Sequence, residues 1–504
     1  MALWLASLAL LLVTPFAMSE VFISLTLYRS LFDAMPIWND ELIYWHGIGT
    51  FIEAGFSGGY YTFNELPAKA TFTHFDAHGP AFFILLGLLG SIGTWSAAAA
   101  ITINLALLAA GSVAFVALVR PSVAQLLLTS LTVASSWAVV LFVPMTMQES
   151  LHLAIAMVMT GILYRALEEG GNMTTGTKIV SVLFILSVGL IRPLWSFNLC
   201  ALCYCWSKEQ PKKTVLLNIV FLLPLIPLTI SLFAWMSAPY PAYVFSQHAM
   251  SELFSNPFNG VRLLIQHSVL VFRGFGQGLL VECAVRQQVI LVLCFAGFSV
   301  LFVGRRSAQA LTPFLLPKSE AYTHLLSLGL LAVFLLMVHD IFDLRDYRVF
   351  APHLLAAHLL LIARRQYTLV TMLLFLNVTT FSSALDAYGK LNSARYNFDQ
   401  GRMTLFSSRA LRHIRYDRRA KSGWCNTMLT QAYDRYQFPP EVALLPAGFG
   451  FSVILSDTGL SFPLKSRYLF IGEERAILYT AHMRLELLEN MGQLNLYRNL
   501  DADC

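Results

Sequence analysis

Residues 78–93 read HGPAFFILLGLLGSIG. Whether this stretch crosses a bilayer decides where every later loop of the chain is placed. It is apolar, but it is short and glycine-interrupted, and a spanning helix needs about 20 apolar residues. Counting it as a span would put Arg120 outside and invert each connection that follows. Leaving it out, with the N-terminus inside, gives inner connections that hold Arg120, then Arg165 and Lys178, then Lys208, Lys212 and Lys213. The next two hold Arg305, Arg306 and Lys318, then Arg364 and Arg365. Every inner loop is then basic, as the positive-inside rule requires. The stretch therefore reads as an amphipathic or re-entrant helix at the outer interface.

The composition agrees with a chain made mostly of spans. Its 504 residues are 57% hydrophobic and 12% charged, where a soluble chain carries about 25% charged residues. The mean hydropathy is +0.62. Spans read at 3–27, 97–119, 122–143, 150–166, 179–191, 193–206, 214–236, 287–304, 323–341, 349–363 and 367–385. The segments 179–191 and 193–206 hinge at Arg192-Pro193, because proline breaks a helix. The N-terminal run lacks the basic start of a signal peptide and reads as a helix that stays in place, with Glu20 as a polar interruption. The net charge of +5 is small and points to basic inner loops rather than to nucleic acid.

The expected architecture is mainly α: a polytopic membrane protein of about 11 transmembrane helices with a small C-terminal soluble α/β domain. Residues 1–385 would form the membrane domain. Within it, 28–96 is a first outer loop with interfacial helices and 237–286 a second outer loop. An odd helix count puts residues 386–504 outside. In that tail VALLPAG, FSVILSD and RYLFIG read as strands, and RAILYTAHMRLELLENM as a helix. Of seven cysteines, Cys200, Cys203 and Cys205 lie in an apolar run and read as small hydrophobes. Cys425 and Cys504 would pair if the tail faces an oxidising compartment.

The informative residues are the polar ones gathered at the outer surface. Asp40 and Glu41 open the first outer loop in PIWNDELIYWH, beside Trp38, Tyr44 and Trp45. His74, Asp76 and His78 end its polar part. Glu149 begins a span, Arg192 sits at the hinge, and HDIFDLRDYR at 339–348 supplies Asp340, Asp343, Arg345, Asp346, Tyr347 and Arg348. Each alone has a bland reading: a solvated helix start, an N-terminal helix charge, a solvated turn or a structural histidine. Their shared side, depth and opposite charges favour chemistry. A carboxylate can act as general base toward an acceptor hydroxyl. Arginines can hold a phosphate leaving group, and aromatic faces can stack on sugar rings. Such a set suits displacement of a lipid-linked phosphate from C1 of a sugar.

In order along the chain, WNDELIYW, HGPAFFILLG, VPMTMQESLHLAIAM, GLIRPLW and RDYRVFAPHLLAAHLLLIARR resemble five motifs of the GT-C polyprenyl-phosphate-sugar glycosyltransferases. The likeness is to the branch of protein O-mannosyltransferases and lipid A aminoarabinose transferases, and it covers residues 1–385. It implies Asp40 as catalytic base, Glu41 as its orienting partner and Glu149 as a second acid. It also implies His78 near the donor phosphate, and Arg345 or Arg348, with Tyr347, in contact with it, with Tyr44 and Arg192 lining the substrate site. The implied reaction is an inverting transfer at the outer membrane face, to a glycan, lipid or protein acceptor, in a bacterial inner membrane. The resemblance requires no cofactor and leaves a divalent metal open. Ile43 stands where some aminoarabinose transferases carry arginine, HGP replaces a double proline, and Glu149 replaces a common aspartate. A transporter or flippase of a lipid-linked substrate is the alternative. No internal repeat of the kind many transporters carry is visible.

Overall fold

The computed structural model describes residues 1–504 except 28, 34, 37, 61, 71, 73–74, 209, 240–251, 253–254, 275–279, 303–314, 339–347, 380, 382–399, 434–437 and 456. The chain is mainly helical. In order the helices are α1 (Ala2–Leu27), α2 (Asn39–Ala54), α3 (Ala81–Gly90), α4 (Ala97–Val119), α5 (Val123–Ala134), α6 (Trp137–Phe142) and α7 (Glu149–Glu169). Then come α8 (Thr175–Gly189), α9 (Asn198–Ser207), α10 (Lys212–Leu222), α11 (Leu225–Met236), α12 (Pro257–Gly274) and α13 (Leu280–Phe302). The last are α14 (Lys318–His324), α15 (Leu330–Val338), α16 (Ala351–Ala363), α17 (Tyr367–Thr379), α18 (Gln400–Leu405) and α19 (Glu473–Tyr479). Among the described residues, 5 helical stretches are long and apolar enough to cross a membrane: α1, α4, α7, the α10–α11 pair and Val285–Phe302 of α13.

The outcome for 78–93 is a helix of 10 residues, α3. At 1.5 Å per residue it reaches about half the thickness of a bilayer core. Its phenylalanines pack on α2, where Phe82 and Phe83 meet the ring of Tyr44. Gly47 of α2 admits this approach, since a Cβ there would lie 2.0 Å from Phe83. The expected span 122–143 is two helices, broken at Ser135-Ser136, where each hydroxyl residue starts or ends a turn. Glu20 has a structural use: its carboxylate accepts the amide of Leu31 at 2.9 Å and fixes the turn after α1.

Helix α7 is the axis of the bundle. From Leu151 to Leu163 it is mostly apolar and nearly all buried, and it packs between α4 and α16. Gly111 of α4 lies against Ala154 and Gly161 of α7 against Leu118, each too close for a Cβ. Ahead of α7, Asn104 donates to the carbonyls of Val143 and Met145 at 3.0 and 2.8 Å. Ser150 donates to Phe142 O at 3.0 Å. These bonds fix the loop that delivers Glu149. At the opposite end of the bundle, Glu320 of α14 binds Arg364 at 2.5 Å and Gln366 at 3.1 Å, tying α14 to the end of α16.

The sheet has six strands in the order β1-β3-β2-β4-β6-β5: β1 (Thr62–Phe63), β2 (Thr427–Gln431), β3 (Gly450–Ile454), β4 (Tyr468–Ile471), β5 (Leu485–Glu489) and β6 (Asn495–Asn499). Strands β1, β3, β2 and β4 run parallel, and β6 and β5 add antiparallel. FSVILSD and RYLFIG supply strands as expected. VALLPAG does not: Pro440–Leu444 is a 3-10 turn, because Pro439-Pro440 cannot donate to a ladder. The expected C-terminal helix stops at Tyr479, and LELLE is strand β5, its bonds made with β6.

The sheet is not confined to the tail, because β1 comes from the segment between α2 and α3. Gly59 and Gly450 make that seam, where a Cβ on Gly450 would lie 2.3 Å from Gly59 O. Glu65 closes it, accepting the amides of Lys465 and Ser466 at 2.8 Å each. Cys425 and Cys504 form a disulfide with Cα atoms 5.6 Å apart. The bridge ties the chain end to the start of β2 across 79 residues of sequence. Cys504→Ser is therefore expected to destabilise this domain by about 3 kcal/mol. Thermal unfolding of the full chain checks this: reductant should lower the wild-type midpoint to that of the variant and leave the variant unmoved.

Candidate active site

Helix α2 carries two kinds of face. Asn39, His46, Thr50 and Glu53 face the sheet domain. Asn39 accepts the amide of Phe438 at 2.9 Å and Thr50 donates to Phe449 O at 2.7 Å. His46 meets the edge of Phe451 at 5.8 Å, and Glu53 pairs with Arg418. Asp40, Glu41 and Tyr44 face the bundle. The sheet thus grips the helix whose other side presents the acids.

The two adjacent acids have different surroundings. Glu41 is 1% exposed. One of its oxygens accepts the amide of Thr146 at 3.0 Å, and the other the amide of Trp38 at 3.4 Å. This is a glutamate at the third position of a helix reaching back to the residue before it, and it also straps α2 to the loop ahead of α7. Asp40 is partly open and forms an ion pair with Arg348.

Arg348 is the hub. It pairs with Asp40, lies 3.5 Å from Glu149 through Nε, and stacks with its Cζ 4.9 Å from the ring of Trp38. Burial disfavours its charge, but Asp40 and Glu149 outweigh that and hold it more firmly cationic than usual. Glu149 is 1% exposed and its Oε1 also accepts from Arg192 at 3.1 Å. Arg192 occupies the extended residue between α8 and the 3-10 turn that Pro193 begins. Among the described residues, Glu149 Oε2, Arg192 Nη1 and Arg348 Nη1 are buried without a hydrogen-bond partner. Such groups are costly unless a ligand completes them. The ion pairs satisfy one side of each.

Tyr44 and the segment ahead of α3 form the next wall. The Tyr44 ring meets His78 edge-on at 5.2 Å. Burial raises its hydroxyl well above its ordinary value, helped by Asp40, Asp76 and Glu149 and opposed by Arg348. His78 is held by Asp76 through Nδ1 at 2.9 Å. Below Glu149 lies a row that the sequence did not single out. Gln148 Oε1 and His152 Nε2 are 3.4 Å apart, Trp195 Nε1 donates to His152 Nδ1 at 3.0 Å, and the ring of Trp195 lies 4.1 Å from that of His353. The helical spacing of Gln148 and His152, and of Pro352-His353 after Arg348, was the only available signal for this floor.

Of the expected residues, Asp40, Glu149, Arg192 and Arg348 come together in one ion-paired array, with Tyr44 and His78 beside it. Glu41 sits behind it, bonded to backbone. Arg345 and Tyr347 lie outside the described residues, as do His74, Asp340, Asp343 and Asp346. Among the described residues no group of three or more His, Cys, Asp or Glu side chains is placed to hold a metal ion. A cation between Asp40 and Glu149 would have to displace the Arg348 guanidinium.

No family model matches the chain. No curated protein matches it by sequence. Among solved structures it aligns with the crystal structure of ArnT from Cupriavidus metallidurans bound to undecaprenyl phosphate, at 8% identity over 98% of each chain, with a TM-score of 0.39.

Proposed function

We propose that this chain is an inverting glycosyltransferase that moves a sugar from a polyprenyl-phosphate donor to an acceptor at the outer membrane face. The observation that carries the reading is the Asp40–Arg348–Glu149–Arg192 array. It offers two guanidinium groups, each with a nitrogen unpartnered among the described residues, beside a partly exposed carboxylate. Paired Arg groups are suited to an oxyanion. An aspartate next to them is suited to proton removal.

The roles follow from atom balance. Asp40 takes the proton of the acceptor hydroxyl. The acceptor oxygen bonds to C1 of the sugar as the bond from C1 to the phosphate oxygen breaks. The electron pair stays on that oxygen, and the charge developing on phosphate is met by Arg348 and Arg192. The phosphate recruits Arg348, which loosens its hold on Asp40 and frees that carboxylate as a base. Glu149 sets the position of both arginines and, through its unpartnered oxygen, holds a sugar hydroxyl. Glu41 fixes the pitch of α2 and thus the place of Asp40. Arg345 and Tyr347 are added phosphate contacts on the resemblance stated above. Attack opposite the leaving group inverts the anomeric carbon.

The test is transfer itself. Purified full-length chain in lipid is supplied with a panel of polyprenyl-phosphate sugars and a membrane extract as acceptor. Mass spectrometry should find free polyprenyl phosphate and a sugar-bearing product in equal amounts. Movement of intact donor across the vesicle wall, with no release of polyprenyl phosphate, would replace this reading with that of a flippase.

A further inference from the structure

Gln148, the residue before Glu149, carries a side-chain amide that the array does not use. The residue is 2% exposed, and its Nε2 is buried without a hydrogen-bond partner among the described residues. Which end of that amide donates is decided by its neighbours. An indole N–H can only donate. Trp195 Nε1 lies 3.0 Å from His152 Nδ1, so Nδ1 accepts and carries no proton. The ring proton of His152 is therefore on Nε2. That nitrogen lies 3.4 Å from the Gln148 amide and requires an acceptor there. Oε1 is the acceptor, and Nε2 is the end left over. The chain of bonds is well anchored. The Trp195 amide donates to Arg192 O at 3.1 Å, its carbonyl accepts from Asn198 at 3.0 Å, and its ring lies 4.1 Å from that of His353.

Gln148 and Glu149 turn to the same short segment. Glu149 binds the Arg192 side chain at 3.1 Å, and Gln148 reaches Trp195, in the turn that Arg192 opens, through His152. Among the described residues the unpartnered atoms of this group are three donors, Gln148 Nε2, Arg192 Nη1 and Arg348 Nη1, and one acceptor, Glu149 Oε2. Resting on the function proposed above, we infer that Gln148 and Glu149 select a transferred sugar whose substituent at this point is neutral and both accepts and donates, a hydroxyl in the smallest case, and that His152 and Trp195 are positioning residues that keep the Gln148 N–H groups toward it. The substituent oxygen accepts from Gln148 Nε2, and its proton goes to Glu149 Oε2. An ammonium has donors and no acceptor, so it would satisfy Glu149 and leave Gln148 unpaired. A sugar lacking the group leaves both buried atoms unpaired, which is how such a site rejects the wrong substrate.

Two substitutions separate selection from support. Gln148→Glu keeps the shape of the side chain and the acceptor toward His152, but it turns the free N–H end into a second acceptor beside Glu149. An amine is then accommodated where the wild type refuses it. Trp195→Phe keeps an aromatic ring against His353 and removes the indole N–H. The His152 proton is then free to move to Nδ1 and the Gln148 amide to turn over, so selectivity falls with no change at the residues that touch the sugar.

The experiment uses the full chain in nanodiscs. The probes are undecaprenyl-phosphate donors of glucose, mannose, arabinose and N-acetylglucosamine. For the donor that wild type turns over fastest, analogues replace each ring substituent in turn by hydrogen and by an amine. At one position wild type should lose about 100-fold in kcat/KM on replacement by hydrogen, near tenfold for each of two hydrogen bonds, and the amine should do no better. Gln148→Glu should narrow the preference for the neutral group over the amine about tenfold at that position and leave the other positions unchanged. Trp195→Phe should narrow it at the same position. His152 is followed by NMR of labelled imidazoles, its signal assigned by loss in His152→Phe. Wild type should hold the proton on Nε2, and Trp195→Phe should put part of it on Nδ1. Amine analogues used as well as neutral ones at every position in wild type would overturn the inference. So would a His152 proton on Nδ1 in wild type, or losses in Gln148→Glu that are equal at all positions, the mark of a merely structural residue. If Gln148→Glu does not fold, the wild-type analogue series and the His152 tautomer still decide. No release of polyprenyl phosphate from any donor, with the His152 proton on Nε2, would instead overturn the transfer reading and leave the orientation of the Gln148 amide standing.

Discussion

Asp40→Asn is expected to lower the rate of sugar transfer by about 10³-fold, within the range that general-base catalysis supplies. The substitution keeps the shape of the side chain and one acceptor oxygen but removes the basicity. Its effect on donor binding should run the other way. Asp40 pairs with Arg348 in the free protein, so phosphate and Asp40 compete for that guanidinium. With asparagine the competition weakens, and the donor should bind as tightly as in wild type or more so. Turnover and donor Kd measured together give the check. Unchanged turnover would remove Asp40 from the base role. Loss of both turnover and donor binding would mean that Asp40 had been holding Arg348 in place rather than taking a proton.

How far the sequence carried this site depends on distance along the chain. Asp40, Glu149, Arg192 and Arg348 come from four separate segments, and nothing in their spacing brings them together. What did so was the charge alternation of the loops, which set all four at one depth. That argument turned on leaving 78–93 out as a span, and the helix found there has 10 residues. The separate fates of Asp40 and Glu41 were not legible. Adjacent helical residues differ by about 100° in direction, and only packing decides which one meets Thr146 N and which meets Arg348.

The tail was less legible for a physical reason. Its strands are four or five residues long, too short for periodicity to separate them from helix. TMLTQ and NLYRN carry more polar than apolar residues and gave no signal, yet their register with β4 makes them central strands. LELLE follows a helix start without a break in composition, and its pairing partner β6 lies beyond it in the chain. The entry of β1 from the first outer loop could not be read at all. It rests on the close approach of Gly59 and Gly450, some 390 positions apart by their residue numbers, which is a tertiary fact. The consequence is functional. The sheet domain grips α2 through Asn39 and Thr50, so a domain that sequence places after the membrane region is part of the scaffold of its first acid.

Arg348→Ala is expected to weaken donor binding about 100-fold or more, while the acceptor KM changes little. Removing one partner of a buried charge pair costs about 3–5 kcal/mol in general, and a charge-assisted hydrogen bond to phosphate falls in the upper part of the hydrogen-bond range. Here the loss is compounded, because Arg348 stands between Asp40 and Glu149. Without it, two carboxylates face the phosphate, and of the two arginines in the described array Arg192 alone remains to offset them. The folded state should suffer as well, because Glu149, 1% exposed, would keep Arg192 alone of its two described ion-pair partners. Arg348→Lys separates the two effects. Lysine restores a positive charge and should recover much of the thermal midpoint. It cannot form the planar fork toward phosphate or stack on Trp38 at the observed 4.9 Å, so donor affinity should remain at least tenfold below wild type. Equal losses of donor and acceptor affinity in a stable Arg348→Lys protein would count against a phosphate contact, because a residue that merely braces the two acids would disturb both substrates alike.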